Sequence, residues 1–144
     1  MNCVHLYRCG NYFHRSGITF AAKVCDWLIF FLYNSYVPSN CTIGAGSLFA
    51  YKGIGCVIHK NAQIGENCII GQNVTIGGNF NSRGVPMIKD NVYIGPGVRI
   101  IGNVVIGSNC IIGANSVVVK NVPDNSVVAG VPARLLRLND QSLV

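Results

Sequence analysis

Imidazole is the side chain best suited to move a proton near neutral pH. The chain has three: His5, His14 and His59. The first two fall in an aromatic-rich start. His59 falls inside a run of regularly spaced Ile residues, at a position whose periodic counterparts 65, 71, 77, 95, 107 and 113 are Gly. Eighteen residues further on stands Gly77, in the segment TIGG. An imidazole beside a paired-glycine corner could act as a general base on a hydroxyl, which is a poor nucleophile at neutral pH. The seven Cys at 3, 9, 25, 41, 56, 68 and 110 include no CxxC, and the His residues lack zinc spacing, so no metal site is expected. Wide spacing and an odd count read as reduced, buried thiols of a cytosolic protein.

The elements that must position His59 follow from a six-residue period. From Ile58, steps of six reach Ile64, Ile70, Ile76, Ser82, Ile88, Ile94, Ile100, Ile106, Ile112 and Val118. Ten of these eleven are Ile or Val, a periodicity that marks a repeat architecture. The fifth place of each hexad is small or β-branched (Ala62, Cys68, Val74, Val92, Val98, Val104, Cys110, Ser116, Val122), and the fourth is Asn nine times. Six residues fit neither a helix nor a hairpin sheet. They fit a ribbon that turns a corner every hexad, with the large apolar residue inward and Gly or Asn supplying positive φ at the corner. Three hexads close a triangular coil of 18 residues, and coils stack at about 4.8 Å. Residues 37–121 are enough for about five coils. Ile64, Ile70, Ile94, Ile106 and Ile112 are expected inward, and Cys68 and Cys110 in the core. Two interruptions, AYKGIGC and NFNSRGVP, carry Tyr51, Lys52 and Arg83, and loops of a solenoid are where function gathers.

The first 36 residues differ in character, holding 9 of the 13 aromatics. They read as two helices, roughly 2–14 and 18–34, broken at Ser16-Gly17. On the second, Phe20, Val24, Trp27, Leu28 and Phe31 recur at helical spacing. The pair either caps the first coil or also touches a membrane surface. The apolar run Trp27 to Tyr33 is too short to span a bilayer, and the start MNCVHLYRCG lacks the apolar core of a signal peptide. Half of the 144 residues are hydrophobic and 11% charged, which excludes a disordered chain. Ile and Val total 34 against 8 Leu, a β-leaning bias. The net charge of +6 favours anionic ligands, while scattered basic residues argue against nucleic acid.

The repeat resembles the hexapeptide-repeat acyltransferases, whose fold is the left-handed parallel β-helix. Three stretches look like the serine acetyltransferase branch: GCVIHKNAQIGENCIIGQNVTIGG (55–78), VYIGPGVRIIGNVVIGSNCIIGANSVVVKNVP (92–123) and AGVPAR (129–134). The aromatic helical start is similar to small acetyltransferases of surface-polysaccharide pathways. The resemblance implies an all-β solenoid at 37–134, behind a helical cap at 1–36 and before a tail at 135–144. It also implies a homotrimer in the cytoplasm or at the inner face of the membrane, using acetyl-CoA to acetylate a hydroxyl of a small acceptor, a sugar or a serine-like molecule. Acetyl-CoA would lie in a groove between neighbouring prisms. Gly77, Gly78, Gly95 and Gly97 would line it and Lys120 and Arg134 meet its phosphates. His59 would be the base, and Tyr51, Lys52 and Arg83 would shape the acceptor pocket. Where that branch carries its own two catalytic His residues, this chain has Lys52 and Val85. Two alternatives are a non-catalytic β-helix scaffold and a sugar N-acetyltransferase. A zinc β-helix enzyme would need three His ligands where the coils offer one, and no nucleotide-binding domain precedes the repeats.

Overall fold

The computed structural model describes residues 1–81 and 83–140. Two helices, α1 (Cys3–Arg15) and α2 (Thr19–Tyr33), lead into short strands that wind round a triangular prism. The first face stacks β1 (Thr42–Ile43), β4 (Gln63–Ile64), β7 (Met87–Ile88) and β10 (Val105–Ile106). The second stacks β2 (Leu48–Phe49), β5 (Ile69–Ile70), β8 (Tyr93–Ile94), β11 (Ile111–Ile112) and β13 (Ser126–Gly130). The third stacks β3 (Val57–Ile58), β6 (Thr75–Gly77), β9 (Arg99–Ile101) and β12 (Val117–Val118). Pairing up each face is parallel, and the fold is the left-handed parallel β-helix expected. At the far end, β14 (Ala133–Leu138) turns back antiparallel on β13 and reaches into the stretch expected as a tail.

The hexad residues do what their period predicts. Ile58, Ile64, Ile70, Ile76, Ile88, Ile94, Ile100, Ile106 and Ile112 are no more than 2% exposed. The fifth-place residues Ala62, Val74, Val92 and Val98 are equally buried, since three walls converge on a narrow axis. Cys56, Cys68 and Cys110 are core thiols, each with Sγ against a backbone carbonyl. Burial pushes all three above the ordinary thiol range, and Cys3 and Cys41 up to about 12, so none is a ready nucleophile.

Four coils are complete, fewer than the count of residues suggests. Stacked partners lie 18 residues apart at Val57 and Thr75, but 21 apart at Thr42 and Gln63 and 24 apart at Gln63 and Met87. The two interruptions therefore leave the helix as loops, the second using a whole hexad. The expected break at Ser82 lies outside the described residues.

The coil has three edges. Edge 1 joins the first face to the second, edge 2 the second to the third, and edge 3 the third to the first. Edges 1 and 2 turn on left-handed residues: Asn67, Asn91 and Asn109 on the former, Asn73, Gly97 and Asn115 on the latter. Edge 3 turns at His59–Ala62 without one and, two coils on, at Gly102 with φ of 97°.

The first coil lacks a preceding coil to pair with, which would leave an open sheet edge. Side chains of α1 satisfy it. Tyr7 Oη donates to Cys41 O at 2.8 Å and accepts from Ile43 N at 3.1 Å. Arg8 donates to Ile43 O and Gly44 O, both at 2.6 Å. Asn2 and Asn11 donate to Phe49 O and Ser39 O. Tyr7→Phe removes two buried bonds and orphans their partners, so it should destabilise by about 2 kcal/mol. A thermal melt should read this as a fall of roughly 5 °C. An unchanged melting temperature would show that the cap holds without it.

The helices pack, but through a different face of α2 than the aromatic spacing suggests. Ala22, Cys25, Ile29 and Tyr33 are buried, whereas Phe20, Val24, Trp27 and Phe31 face outward at 81%, 41%, 60% and 71% exposure. The close approach is at Gly10 of α1, where a Cβ would lie 2.3 Å from Ser39 Oγ and 3.0 Å from Cys25 Cβ, while Ile29 and Tyr33 of the same α2 face fill the core. Neither helix is long and apolar enough to cross a membrane.

Candidate active site

His59 follows β3 at edge 3, half-buried, its backbone N–H donating to Ile76 O at 2.8 Å. That places it one coil below Gly77, as the spacing of 18 predicts. The two share a depression of about 230 Å³ lined also by Tyr36, Lys60 and Thr75. Imidazole Nδ1 accepts from the Asn61 backbone N–H at 3.1 Å. A neutral ring held this way carries its proton on Nε2. For Nε2 to act as a base the ring must release Asn61, which costs about 1 kcal/mol at a solvated corner.

The glycines divide sharply by what surrounds them. A Cβ on Gly65, Gly71, Gly95 or Gly107 would come within 3.0 Å of the next coil's backbone, so coil stacking demands glycine there. Gly46, Gly55 and Gly97 combine positive φ with an Asn side chain packed above. Gly77 and Gly78 meet neither condition. A Cβ at Gly77 would find Ile101 Cδ1 at 3.9 Å, and one at Gly78 would find Gly84 O at 3.6 Å. The fold does not require their bareness. A ligand lying against the backbone would.

This edge carries further groups in axial order. Above Gly77 stands Ile101, and Gly102 N donates to Gly77 O at 2.9 Å. Lys120 follows β12 at the same edge, three strand spacings above His59, or about 14 Å. There Lys120 and Arg134 line a single depression of about 310 Å³, although 14 positions separate them in sequence. The second loop leaves the same edge between β6 and β7, with Arg83 exposed and Phe80 fully out in solvent. Nothing in the hexad pattern marks Phe80, because a loop tip has no period.

Other expected members stand elsewhere. Tyr51 and Lys52 precede β3 on edge 2, the opposite border of the third face from His59. They are left-handed, with φ of 49° and 66°, and lead into Gly53 at 85°. Such strain in non-glycine residues gathers at functional loops. Gly95 and Gly97 also lie on edge 2, because the second loop uses one hexad and shifts the count. The coil neighbour of Gly77 is therefore Ile101, 24 residues on. One chain does not unite these four residues with His59. The acids of the coils, Glu66 and Asp90, and Asp124 beyond them, all stand on edge 1. Asp90 accepts from Glu66 N, and Asp124 from Ser108 N and Lys89 Nζ. None of them orients His59 within the chain.

Residues 49–78 and 86–120 match the family described as bacterial transferase hexapeptide (six repeats). A serine acetyltransferase of Bacillus pumilus (strain SAFR-032) is 31% identical over 99% of this chain and 66% of its own length. The crystal structure of serine acetyltransferase from Vibrio cholerae O1 biovar El Tor N16961 superposes with a TM-score of 0.89 at 32% identity, covering 97% of this chain and 55% of that one. That of Brucella abortus strain S19, in complex with coenzyme A, gives 0.88 at 31%, covering 94% and 54%. The chain thus spans just under two thirds of the curated relative and about half of the solved chains.

Proposed function

Because the chain belongs to the bacterial transferase hexapeptide family, on its serine acetyltransferase-like branch, we propose that it moves an acetyl group from acetyl-CoA to a hydroxyl of a small acceptor. The observation that carries this reading is the pair Gly77 and Gly78, bare without a structural reason, on an edge that runs from His59 to Lys120 and Arg134. An extended pantetheine arm suits that length. Its amides can pair with backbone at the glycines, while its phosphates meet the basic pair. The thioester supplies an activated acyl carbon at the His59 end. His59 takes the hydroxyl proton as the acceptor oxygen bonds to that carbon, and returns it to the sulfur as the carbon–sulfur bond breaks.

The reading includes a homotrimer. Leu48, Ile69, Tyr93, Ile111 and Val127 run outward up the second face as an apolar column, which supports packing of prisms side by side. A neighbour's edge 2 set against edge 3 would reunite Tyr51, Lys52, Gly95 and Gly97 with His59. The acceptor is a sugar rather than serine itself, since Lys52 and Val85 replace both His residues of the serine-specific branch. The place of action is the cytoplasm, at the inner face of the membrane. The outward aromatic stripe of α2, with Lys23 on the same helix and Arg15 just before it, suits an anionic lipid surface, which liposome flotation tests.

Calorimetry with acetyl-CoA separates the enzyme from a β-helix scaffold. Saturable binding, weakened about tenfold or more by Lys120→Gln with Arg134→Gln, is the expected result. No binding by the intact chain would leave the scaffold. Thiol release with a panel of serine, sugars and amino sugars then separates O- from N-acetylation.

A further inference from the structure

The groove at edge 3 does not end at His59. On the side away from Lys120 it meets a second depression, of about 250 Å³, between the helices and the first coil. The two share Tyr36 and Lys60. Three basic side chains border this second depression: His14 near the end of α1, Lys23 on α2, and Lys60 beside His59. Several cations elsewhere are engaged. Arg8 is held by Ile43 O and Gly44 O, Lys89 by Asp124, and Arg99 by backbone carbonyls. Lys23 and Lys60 make no ion pair or hydrogen bond among the described residues. The one carboxylate on the wall, Asp26, is turned to Ser39: its Oδ1 accepts from the Ser39 N–H at 2.8 Å and also from the Ser39 hydroxyl.

We propose that this second depression binds a phosphate or diphosphate group of the acceptor, held by His14, Lys23 and Lys60, while the acceptor's reacting hydroxyl lies at His59. The inference rests on the acetyl-transfer reading and gives its acceptor a class, a diphosphate-linked sugar. Unpaired lysines lining one concave, solvated depression are suited to a multiply charged oxyanion. The two depressions adjoin through Tyr36 and Lys60. The anion and the reacting hydroxyl occupy adjoining depressions, whereas the carboxylate and hydroxyl of serine are joined through only two carbons. The edge would then carry cations at both ends, one set for each substrate, with the imidazole between them.

The test uses the intact chain with UDP as the probe, titrated with CoA present so that Lys120 and Arg134 are already occupied. Binding that His14→Gln with Lys23→Gln weakens about tenfold or more, while acetyl-CoA affinity stays the same, is the expected result. Turnover is then compared for a nucleoside diphosphate sugar in solution, a polyprenyl diphosphate sugar in micelles, the same sugar without phosphate, and serine. Transfer to a diphosphate-bearing sugar, with acceptor KM raised in the double variant and acetyl-CoA KM unmoved, supports the pocket; the first two arms decide which source it takes. UDP binding that is absent, or equal in the double variant, overturns it. So does equal transfer to serine or the neutral sugar by both proteins. If acetyl-CoA fails to bind while UDP binding still depends on His14 and Lys23, the acetyl-transfer reading falls and the anion pocket stands.

Discussion

His59→Ala should lower turnover by about 10²–10⁴, the usual contribution of a positioned general base, while leaving acetyl-CoA affinity nearly unchanged. The coils contain no second imidazole to take over. Loss of structure is not expected to confound the result, because the side chain's hydrogen bond is to Asn61 N at an exposed corner. His59→Asn sharpens the reading: its amide oxygen can still accept from Asn61 N–H but cannot take the acceptor's proton. Both variants should therefore lose kcat at a near-normal melting temperature. Near-normal turnover of His59→Ala with the true acceptor would remove the assignment and pass it to Lys52 or Tyr51 of a neighbouring edge 2.

The second large effect is a contrast between two glycines that share one hexad place. Gly95→Ala would put a Cβ 2.7 Å from Ala114 N and 2.8 Å from Ile112 O. Backbone in the next coil cannot yield without breaking the ladder, so a loss of about 2 kcal/mol or more is expected. Gly77→Ala meets Ile101 Cδ1 at 3.9 Å and a backbone that is not left-handed. Its stability should stay level or rise slightly, as it does when an unstrained glycine is replaced. Acetyl-CoA affinity should nevertheless fall about tenfold, because the methyl group stands where the pantetheine arm would meet the backbone. Thermal melts and acetyl-CoA titrations of both variants check this. Unchanged affinity in Gly77→Ala would move the cofactor away from this edge.

The coil was legible from residue order alone. A period of six with alternating large and small inward places is a local pattern, and burial of Ile64, Ile70, Ile94, Ile106 and Ile112 follows from it directly. The juxtaposition of His59 with Gly77 was legible too, since no loop intervenes and 18 residues make one turn there. Which edge each remaining residue occupies depends on how the loops leave the coil. Six residues leaving the helix after Gly78 move Gly95 and Gly97 to edge 2, and counting cannot show whether an interruption stays in the coil or leaves it. The second depression was illegible for a related reason: His14, Lys23 and Lys60 meet through packing between elements far apart in the chain. The same holds for α2. Its aromatic spacing marks a stripe, but the face that packs sets Cys25 against Gly10 and Ile29 and Tyr33 into the core, and the fit at a contact is decided by both partners together.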